Sequence, residues 1–354
     1  MTSFEVHFTG CATRSGGITW AQQDIYGFVY GGHGQAGQDS PDLRGVVDPE
    51  CEPSTDDCRS AIRILVSRHE ALRTTFTAGD GDFLAQHVSD EGTIPVLVDD
   101  VDGVGAGQEE RAVSRLTDLL TNRQIDVTAE LPLRIGLVTA SRTVRRIVVV
   151  ISRMVVDGWG FENLLQDLVR EVVMVRRAGG APPRAFQQLD QWEWERSEHG
   201  AMRAKAALAY RSELLEKSAA SPDPRSVPGA PMGRMRRGGL SLGAEFTASL
   251  RQASSSLSMS TSALLLTSCA LAASDTLGAA DLLLHLHCAN RFDPPRIRSV
   301  TRLKSMSLMP YRRESQVLSA EAKRVWRAAL VAYQHAQVPQ ARRRRSSGGR
   351  RTAS

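Results

Sequence analysis

Three side chains capable of chemistry lie close together in the segment Ile151–Gly160, which reads Ile-Ser-Arg-Met-Val-Val-Asp-Gly-Trp-Gly. Ser152 offers a hydroxyl, Arg153 a guanidinium and Asp157 a carboxylate. Because guanidinium stays protonated and only donates hydrogen bonds, Arg153 cannot act as a general base. It can stabilise a developing oxyanion, or bind a carboxylate or phosphate of a ligand. Ser152 lacks the Gly-x-Ser-x-Gly setting and an evident base, which disfavours a nucleophilic role.

The flanking sequence predicts the elements that position these side chains. The apolar run within residues 146–150 is typical of a buried strand and leads directly into the polar segment. After that segment, apolar residues recur at helical spacing, and they are Phe161, Leu164, Leu165, Leu168, Val169 and Val172. The polar segment therefore lies at a strand end, where functional sites are commonly built. Gly158 is interpreted as permitting a tight turn that a Cβ atom would crowd.

This segment resembles the His-His-x-x-x-Asp-Gly motif of condensation domains from nonribosomal peptide synthetases, which belong to the wider family shaped like chloramphenicol acetyltransferase. Ser152 and Arg153 stand at the two histidine positions, with Arg153 at the position of the catalytic histidine, whereas Asp157 and Gly158 are retained. The motif is therefore degenerate at its catalytic position.

Other segments resemble the same family in the correct order over residues 1–312. The matching segments are Ile18–Tyr26, Arg68–Phe76, Ile125–Arg134, Trp192–Trp194 and Cys288–Arg291. The segment Arg68–Phe76 (Arg-His-Glu-Ala-Leu-Arg-Thr-Thr-Phe) agrees with the family pattern without a mismatch. Val300–Arg312 matches its expected segment poorly.

The resemblance implies an α/β protein of two chloramphenicol acetyltransferase-like subdomains in a V-shaped arrangement. We expect an N-terminal subdomain at 1–177 and a linker with a helical connection at 178–239. A C-terminal subdomain at 240–335 is expected to lack the family's last strands, and an Arg-rich tail at 336–354 is expected to be disordered. On this interpretation the chain is a stand-alone, C-terminally truncated member of the family.

The resemblance also implies a chemistry, which is acyl transfer from a carrier-protein thioester to an amine or a hydroxyl. The acyl group would arrive on the phosphopantetheine arm of an acyl or peptidyl carrier protein, and no bound cofactor is expected. Asp157 would form a structural ion pair with Arg291 or with Arg73. Two alternatives stay open: a non-catalytic module that docks a carrier protein or a synthetase subunit, and a decayed gene product whose site drifted after selection relaxed.

Composition excludes several classes of function. The net charge of +5 depends on six arginines in residues 341–354, without which the chain carries −1, so a nucleic-acid-binding face is not expected. No run of about 18 apolar residues predicts a membrane span, and no signal peptide is evident. The five cysteines include no Cys-x-x-Cys pair, which favours reduced thiols, a cytoplasmic location and no zinc site.

The remaining candidate residues receive structural interpretations. His285 and His287 share one face of a predicted strand, but a His-x-His pair without a third ligand is weak as a metal site, and a partly exposed strand face is favoured. Cys288 is interpreted as a small apolar strand residue. His69 is expected to make a structural hydrogen bond. No metal site is predicted.

Overall fold

The computed structural model describes residues 1–10, 12–29, 42–49, 51–78, 84–101, 106–176, 185–218 and 242–339. The described residues divide into two compact units, one within Met1–Ala201 and Ala289–Lys304, the other within Met202–Cys288 and Ser305–Val338. The expected domain boundaries at 177/178 and 239/240, and most of the expected Arg-rich tail, fall outside the described residues and stay predictions.

The first unit contains most of the strands. Its elements are β1 (Thr2–Phe8), β2 (Arg14–Gly17), α1 (Trp20–Val29), β3 (Asp42–Val47), α2 (Thr55–Arg68), a 3-10 turn (Glu70–Arg73), β4 (Thr74–Ala78), β5 (Leu84–Val88), β6 (Gly92–Asp100), α3 (Ala106–Thr121), β7 (Leu133–Ala140), β8 (Thr143–Ser152), α4 (Gly158–Arg176) and α5 (Gln188–Arg196). The one-turn helix α9 (Pro294–Ile297) belongs to the same unit, although it comes much later in the chain.

A five-stranded sheet in the order β1-β6-β7-β8-β3 forms the centre of this unit. β6 and β7 run parallel, and the other pairs are antiparallel. The apolar run predicted as a strand lies in β8, where residues 147–151 are fully buried. Burial on both faces explains why this strand is continuously apolar rather than alternating. Strands β2, β5 and β4 form a separate three-stranded sheet.

Two helices pack on one another beside this sheet, and both follow from sequence signals. The predicted helix after the motif is confirmed as α4, which buries Phe161, Leu164, Leu168 and Val172 along one stripe. Its partner α2 begins with a capping box, in which the Ser54 hydroxyl accepts the Asp57 N–H and the Asp57 carboxylate accepts the Ser54 N–H.

The second unit is built around a smaller sheet. Its elements are α6 (Glu198–Ser218), α7 (Ala244–Ser256), α8 (Thr261–Leu277), β9 (Asp281–Cys288), β10 (Ser305–Arg312) and α10 (Leu318–Gln334). β9 and β10 pair antiparallel, with Cys288 opposite Ser305. α8 and α10 share with the two strands a cluster that includes Ala270, Leu286 and Val325.

Helix α8 differs from its sequence expectation. The apolar sequence predicts burial on every side, yet the buried residues are Ala263, Leu264, Thr267, Ala270 and Ser274 on one face. Leu265 is 43% exposed and Leu277 is 53% exposed. The expectation of all-round burial was wrong, because α8 packs through one face, where Leu264 and Ala270 are buried, while its other face is exposed.

Within the described part of the chain, no single helix is long and apolar enough to cross a membrane. The bent pair Ala244–Ser256 and Thr261–Leu277 meets the test of length and composition only when the two helices are taken together.

A buried carboxyl on α5 makes stability pH-dependent. Glu195 accepts the Trp20 amide N–H at 2.9 Å and the Gln191 side-chain amide at 3.1 Å. Burial raises the pKa of Glu195 to about 8, against the lowering influence of Gln191, Trp20 and Arg296. Because the folded-state pKa exceeds the unfolded value of about 4.3, the stability contributed by the protonated carboxyl is complete below that value and lost as the pH rises through 8.

We therefore expect the free energy of unfolding to fall between about pH 4.5 and pH 8, and Glu195→Gln to flatten this fall, because a neutral amide has no proton to lose. Urea unfolding at a series of pH values measures the slope. The exposed Glu198→Gln serves as the control and should retain the wild-type slope. An unchanged slope in Glu195→Gln would show that another group is responsible.

Candidate active site

The polar segment forms the turn between β8 and α4. Ser152 is the last residue of β8, is buried, and lies opposite Asp42 of the edge strand β3. Its hydroxyl accepts the Met154 N–H at 3.3 Å. Burial and this local hydrogen bond place the Ser152 hydroxyl in a structural role within the turn.

Asp157 is the most highly connected side chain of the turn. As the residue before α4, it caps the helix by accepting the Gly160 N–H at 2.8 Å on Oδ1. Its Oδ2 accepts Arg291 Nη1 at 2.8 Å, the Leu303 N–H at 2.8 Å and the Lys304 N–H at 2.7 Å. Both oxygens are therefore occupied, and Asp157 joins the turn to residues 291–304 of the same unit.

The charge of Asp157 is held by these partners. Burial would raise the pKa of Asp157, but the Arg291 guanidinium and the amides of Gly160 and Leu303 outweigh burial and lower it. A carboxylate that accepts this many hydrogen bonds from fixed donors stays ionised. Asp157 therefore acts in this structure as a charged anchor.

Of the two arginines considered as partners of Asp157, Arg291 makes the ion pair. Both side chains are almost fully buried. Arg291 also donates to the carbonyls of Ala289 at 3.1 Å and Thr301 at 2.9 Å. Arg73 lies elsewhere and donates to the carbonyls of Ala12 and Ser89. Arg73 therefore stabilises a different loop.

The explanation given for Gly158 was wrong, and the glycine that matters is Gly160. A Cβ built on Gly158 meets no heavy atom within 4 Å. A Cβ built on Gly160 would lie 2.5 Å from the Thr301 carbonyl oxygen and 3.2 Å from Arg291 Nη2. The close approach is between the first turn of α4 and the 299–304 segment, which is far away in sequence, so local sequence reasoning missed it.

This pair of glycines gives a matched prediction. We expect Gly158→Ala to leave the free energy of unfolding nearly unchanged, and Gly160→Ala to lower it by about 1–3 kcal/mol, the usual cost of overpacking. Urea unfolding followed by tryptophan fluorescence measures both variants. Equal stability of the two variants would contradict the close approach of Gly160 to Thr301.

Arg153 occupies the second position of the turn and is half-buried. Among the residues that the structure describes, its guanidinium has neither a hydrogen bond nor an ion pair. Its carbonyl oxygen accepts Nη1 of Arg302 at 3.2 Å. Asp42 pairs with the neighbouring Ser152 across β3 and β8, and its buried carboxyl accepts the Ile125 N–H at 2.9 Å. Burial raises the pKa of Asp42, while Ile125, Arg134 and Arg153 lower it.

The remaining candidate residues lie outside this turn. His69 is buried, and its Nε2 pairs with the Asp167 carboxylate at 3.0 Å. Burial lowers the pKa of His69 despite Asp167, which fits a structural hydrogen bond. His285 and His287 lie on the exposed face of β9, while Cys288 is buried. No group of three or more metal-ligating side chains occurs among the described residues.

A cleft of about 620 Å³ opens beside the first turns of α4, with Trp159, Asn163 and Gln166 on one side and Ile297 and Arg298 on the other. The indole of Trp159 is half-exposed, and its N–H donates to the Ile297 carbonyl at 3.0 Å. The cleft does not include Ser152 or Arg153, so it adjoins the motif turn without containing it.

Comparison with known proteins agrees with this architecture. The family model for the condensation domain matches residues 50–343. A probable non-canonical nonribosomal peptide synthetase, CymA from Salinispora arenicola, is 32% identical over 141 residues, which cover 39% of this chain and 2% of the synthetase. This chain thus spans only a small part of that relative's length.

Two solved structures share the fold. The first condensation domain of the calcium-dependent antibiotic synthetase superposes with a TM-score of 0.70 at 16% identity, covering 92% of this chain and 76% of that one. The X-domain from teicoplanin biosynthesis, solved in complex with OxyB, gives 0.66 at 21% identity, covering 91% and 71%. This chain belongs to the condensation domain family, and its α/β fold is the chloramphenicol acetyltransferase-like fold of that family. It is related to enzymes of nonribosomal peptide and polyketide biosynthesis.

Proposed function

We propose that this chain performs condensation-type acyl transfer, in which an amine or a hydroxyl attacks an acyl thioester on the phosphopantetheine arm of a carrier protein. The C–S bond breaks as the new amide or ester bond forms, and the nucleophile's proton passes through solvent to the departing thiolate of the arm. The arm enters as part of the substrate, and the carrier protein, with or without its synthetase subunit, is the partner. A cytoplasmic location stays a prediction that accompanies this proposal.

The observation that carries the proposal is the complete framework around Asp157. A turn that had drifted freely would not be expected to retain a buried ion pair, an occupied helix cap and two further amide contacts on one carboxylate. Removing one partner of such a buried pair is strongly destabilising, so the pair is a sensitive indicator of an intact turn.

Arg153 determines what kind of transfer the site can support. It supplies no proton acceptor, and loss of general-base assistance costs about 10²–10⁴ in rate. Positioning the acyl group and the nucleophile together still accelerates a reaction without a base. The proposed mechanism therefore relies on positioning, with the guanidinium donating to the oxyanion as it develops.

An intact-mass assay tests the proposal. Acyl-loaded carrier proteins are incubated with candidate amines and alcohols, and transfer is measured for wild type and for Asp157→Ala. We expect slow product formation by wild type above the rate without protein, and none by Asp157→Ala. Arg312→Met changes an exposed residue outside the turn, and this control variant should transfer the acyl group as wild type does. No product from well-folded wild type would reject the proposal.

A second candidate function is a docking module without catalysis, and Arg153 favours it because this side chain cannot take a proton. The structural neighbour solved as a complex of the X-domain with OxyB shows that a related domain binds a protein partner. A docking module would bind a carrier protein or a synthetase subunit equally well as wild type and as Arg153→His, with no product in either case. Binding to the immobilised carrier protein or synthetase subunit, measured alongside the mass assay, distinguishes docking from acyl transfer.

A further inference from the structure

Three positively charged side chains converge at the motif turn, and two of them come from the 299–304 segment. Arg302 is buried, and its Nε donates to the Ala21 carbonyl at 2.8 Å while its Nη1 donates to the Arg153 carbonyl at 3.2 Å. These two bonds fix the guanidinium of Arg302 directly beside residue 153.

Lys304 lies two residues after Arg302 in the same segment, and its side chain is half-buried. Its backbone is fixed, because the Lys304 N–H donates to Asp157 at 2.7 Å. Burial lowers the pKa of Lys304, and the charges of Arg302 and Arg153 lower it further. The three charges are therefore close enough to repel one another.

The acidic groups nearby offset these charges only in part. Asp157 is fully occupied by Arg291 and by backbone amides. The charges of Asp24 and Asp157 raise the pKa of Arg302 and of Lys304, and the charge of Arg153 lowers the pKa of Asp42. In the described ranges, none of the three cations forms an ion pair within 4.0 Å, whereas other arginines of this unit, such as Arg14, are paired. Holding like charges together without a counterion is unfavourable.

We propose that Arg153, Arg302 and Lys304 form a binding site for a small oxyanion, either a carboxylate or a phosphate. Guanidinium and ammonium donors that converge from two segments suit this chemistry, and a bound anion would remove the repulsion. The inference deepens the proposed function, because it assigns an anionic group to the substrate next to the motif turn. Only the assignment of the anion to a substrate rests on the proposed function. Anion binding itself is measured without any turnover.

Isothermal titration calorimetry on the full chain at low ionic strength tests the site. Inorganic phosphate and N-acetylglycine are the first probes, with N-acetylglycinamide as the neutral counterpart of the second. We expect at least one anion to bind and the neutral amide not to bind. Arg153→Gln and Lys304→Gln should each weaken anion binding at least tenfold, whereas the exposed Arg63→Gln should bind as wild type does.

A second pair of probes identifies the origin of the anion. Preference for phosphopantetheine over pantetheine would assign the site to the phosphate of the carrier arm, whereas preference for N-acetylglycine would assign it to a carboxylate on the acyl donor or acceptor. Failure of wild type to bind any anion, or equal weakening by Arg63→Gln, would overturn the inference. Anion binding without transfer would reject only the proposed function, and transfer without anion binding would reject only this inference.

Discussion

Replacing Arg291 with methionine is expected to lower the free energy of unfolding by about 3–5 kcal/mol, the typical cost of leaving one member of a buried ion pair without its partner. Asp157 would stay buried with its charge facing a thioether, and the Thr301 carbonyl would lose its guanidinium donor. Because methionine preserves most of the side-chain volume, the loss of stability reflects the missing charge and hydrogen bonds rather than a cavity. Urea unfolding of Arg291→Met against wild type gives the value.

A double-mutant cycle separates the ion pair from other effects of the substitution. In the Asp157→Asn background, Arg291→Met should lower the free energy of unfolding by at least about 1 kcal/mol less than it does in wild type, because no buried negative charge remains to be compensated. Arg312→Met is the matched control, since it breaks an exposed pair with Asp281 and should leave stability nearly unchanged. Equal effects of Arg291→Met in both backgrounds would contradict the role of the pair.

The second large effect is expected at Arg153. Replacing Arg153 with histidine places a proton acceptor at the second position of the turn, and should raise the single-turnover rate of acyl transfer by about 10²–10⁴ at pH 7. The rate is measured by quenching acyl-carrier reactions and following intact mass. Asp157→Asn introduced together with Arg153→His should abolish most of the gain, because the turn then loses its anchor.

Arg153→Gln is the control for this gain. Glutamine removes the charge and much of the bulk of the guanidinium but supplies no base. It should therefore transfer no faster than wild type, and slower for an anionic substrate. An equal gain in Arg153→Gln and Arg153→His would show that Arg153 limits the reaction by obstruction rather than by the absence of a base.

The sequence predicted the central elements because their signals are local. The continuous apolar run of β8 and the stripe from Phe161 to Val172 on α4 each follow from burial on a regular element. The position of Asp157 between them followed from the resemblance to the family motif. These features together located the turn before its contacts were known.

The contacts that complete the turn were not predictable in the same way. Asp157 binds the 303–304 segment through backbone amides, which any residue other than proline provides, so the interaction has no side-chain signature. That segment also resembles the family pattern poorly, although it closes the site. Arg291 and Arg73 are both buried, and the sequence does not show that Arg291 pairs with a carboxylate whereas Arg73 donates to backbone carbonyls.

The basic residues Arg302 and Lys304 left a weak signal that could have been used. Arg302 and Lys304 stand two residues apart in the sequence, and a search for closely spaced positive charges would have considered them. Their proximity to Arg153 joins positions about 150 residues apart in sequence, which no local pattern encodes.

The pH dependence of transfer by wild type and by Arg153→His tests the central claim that the turn is intact but lacks a base. Single-turnover rates are measured from pH 5.5 to pH 9 with an acceptor alcohol, which does not itself titrate in this range. We predict that Arg153→His shows a rise with a midpoint near the ordinary histidine pKa of about 6.5, and that wild type shows no such rise. A rise of the same midpoint in wild type would contradict the claim, because another group would then be acting as the base.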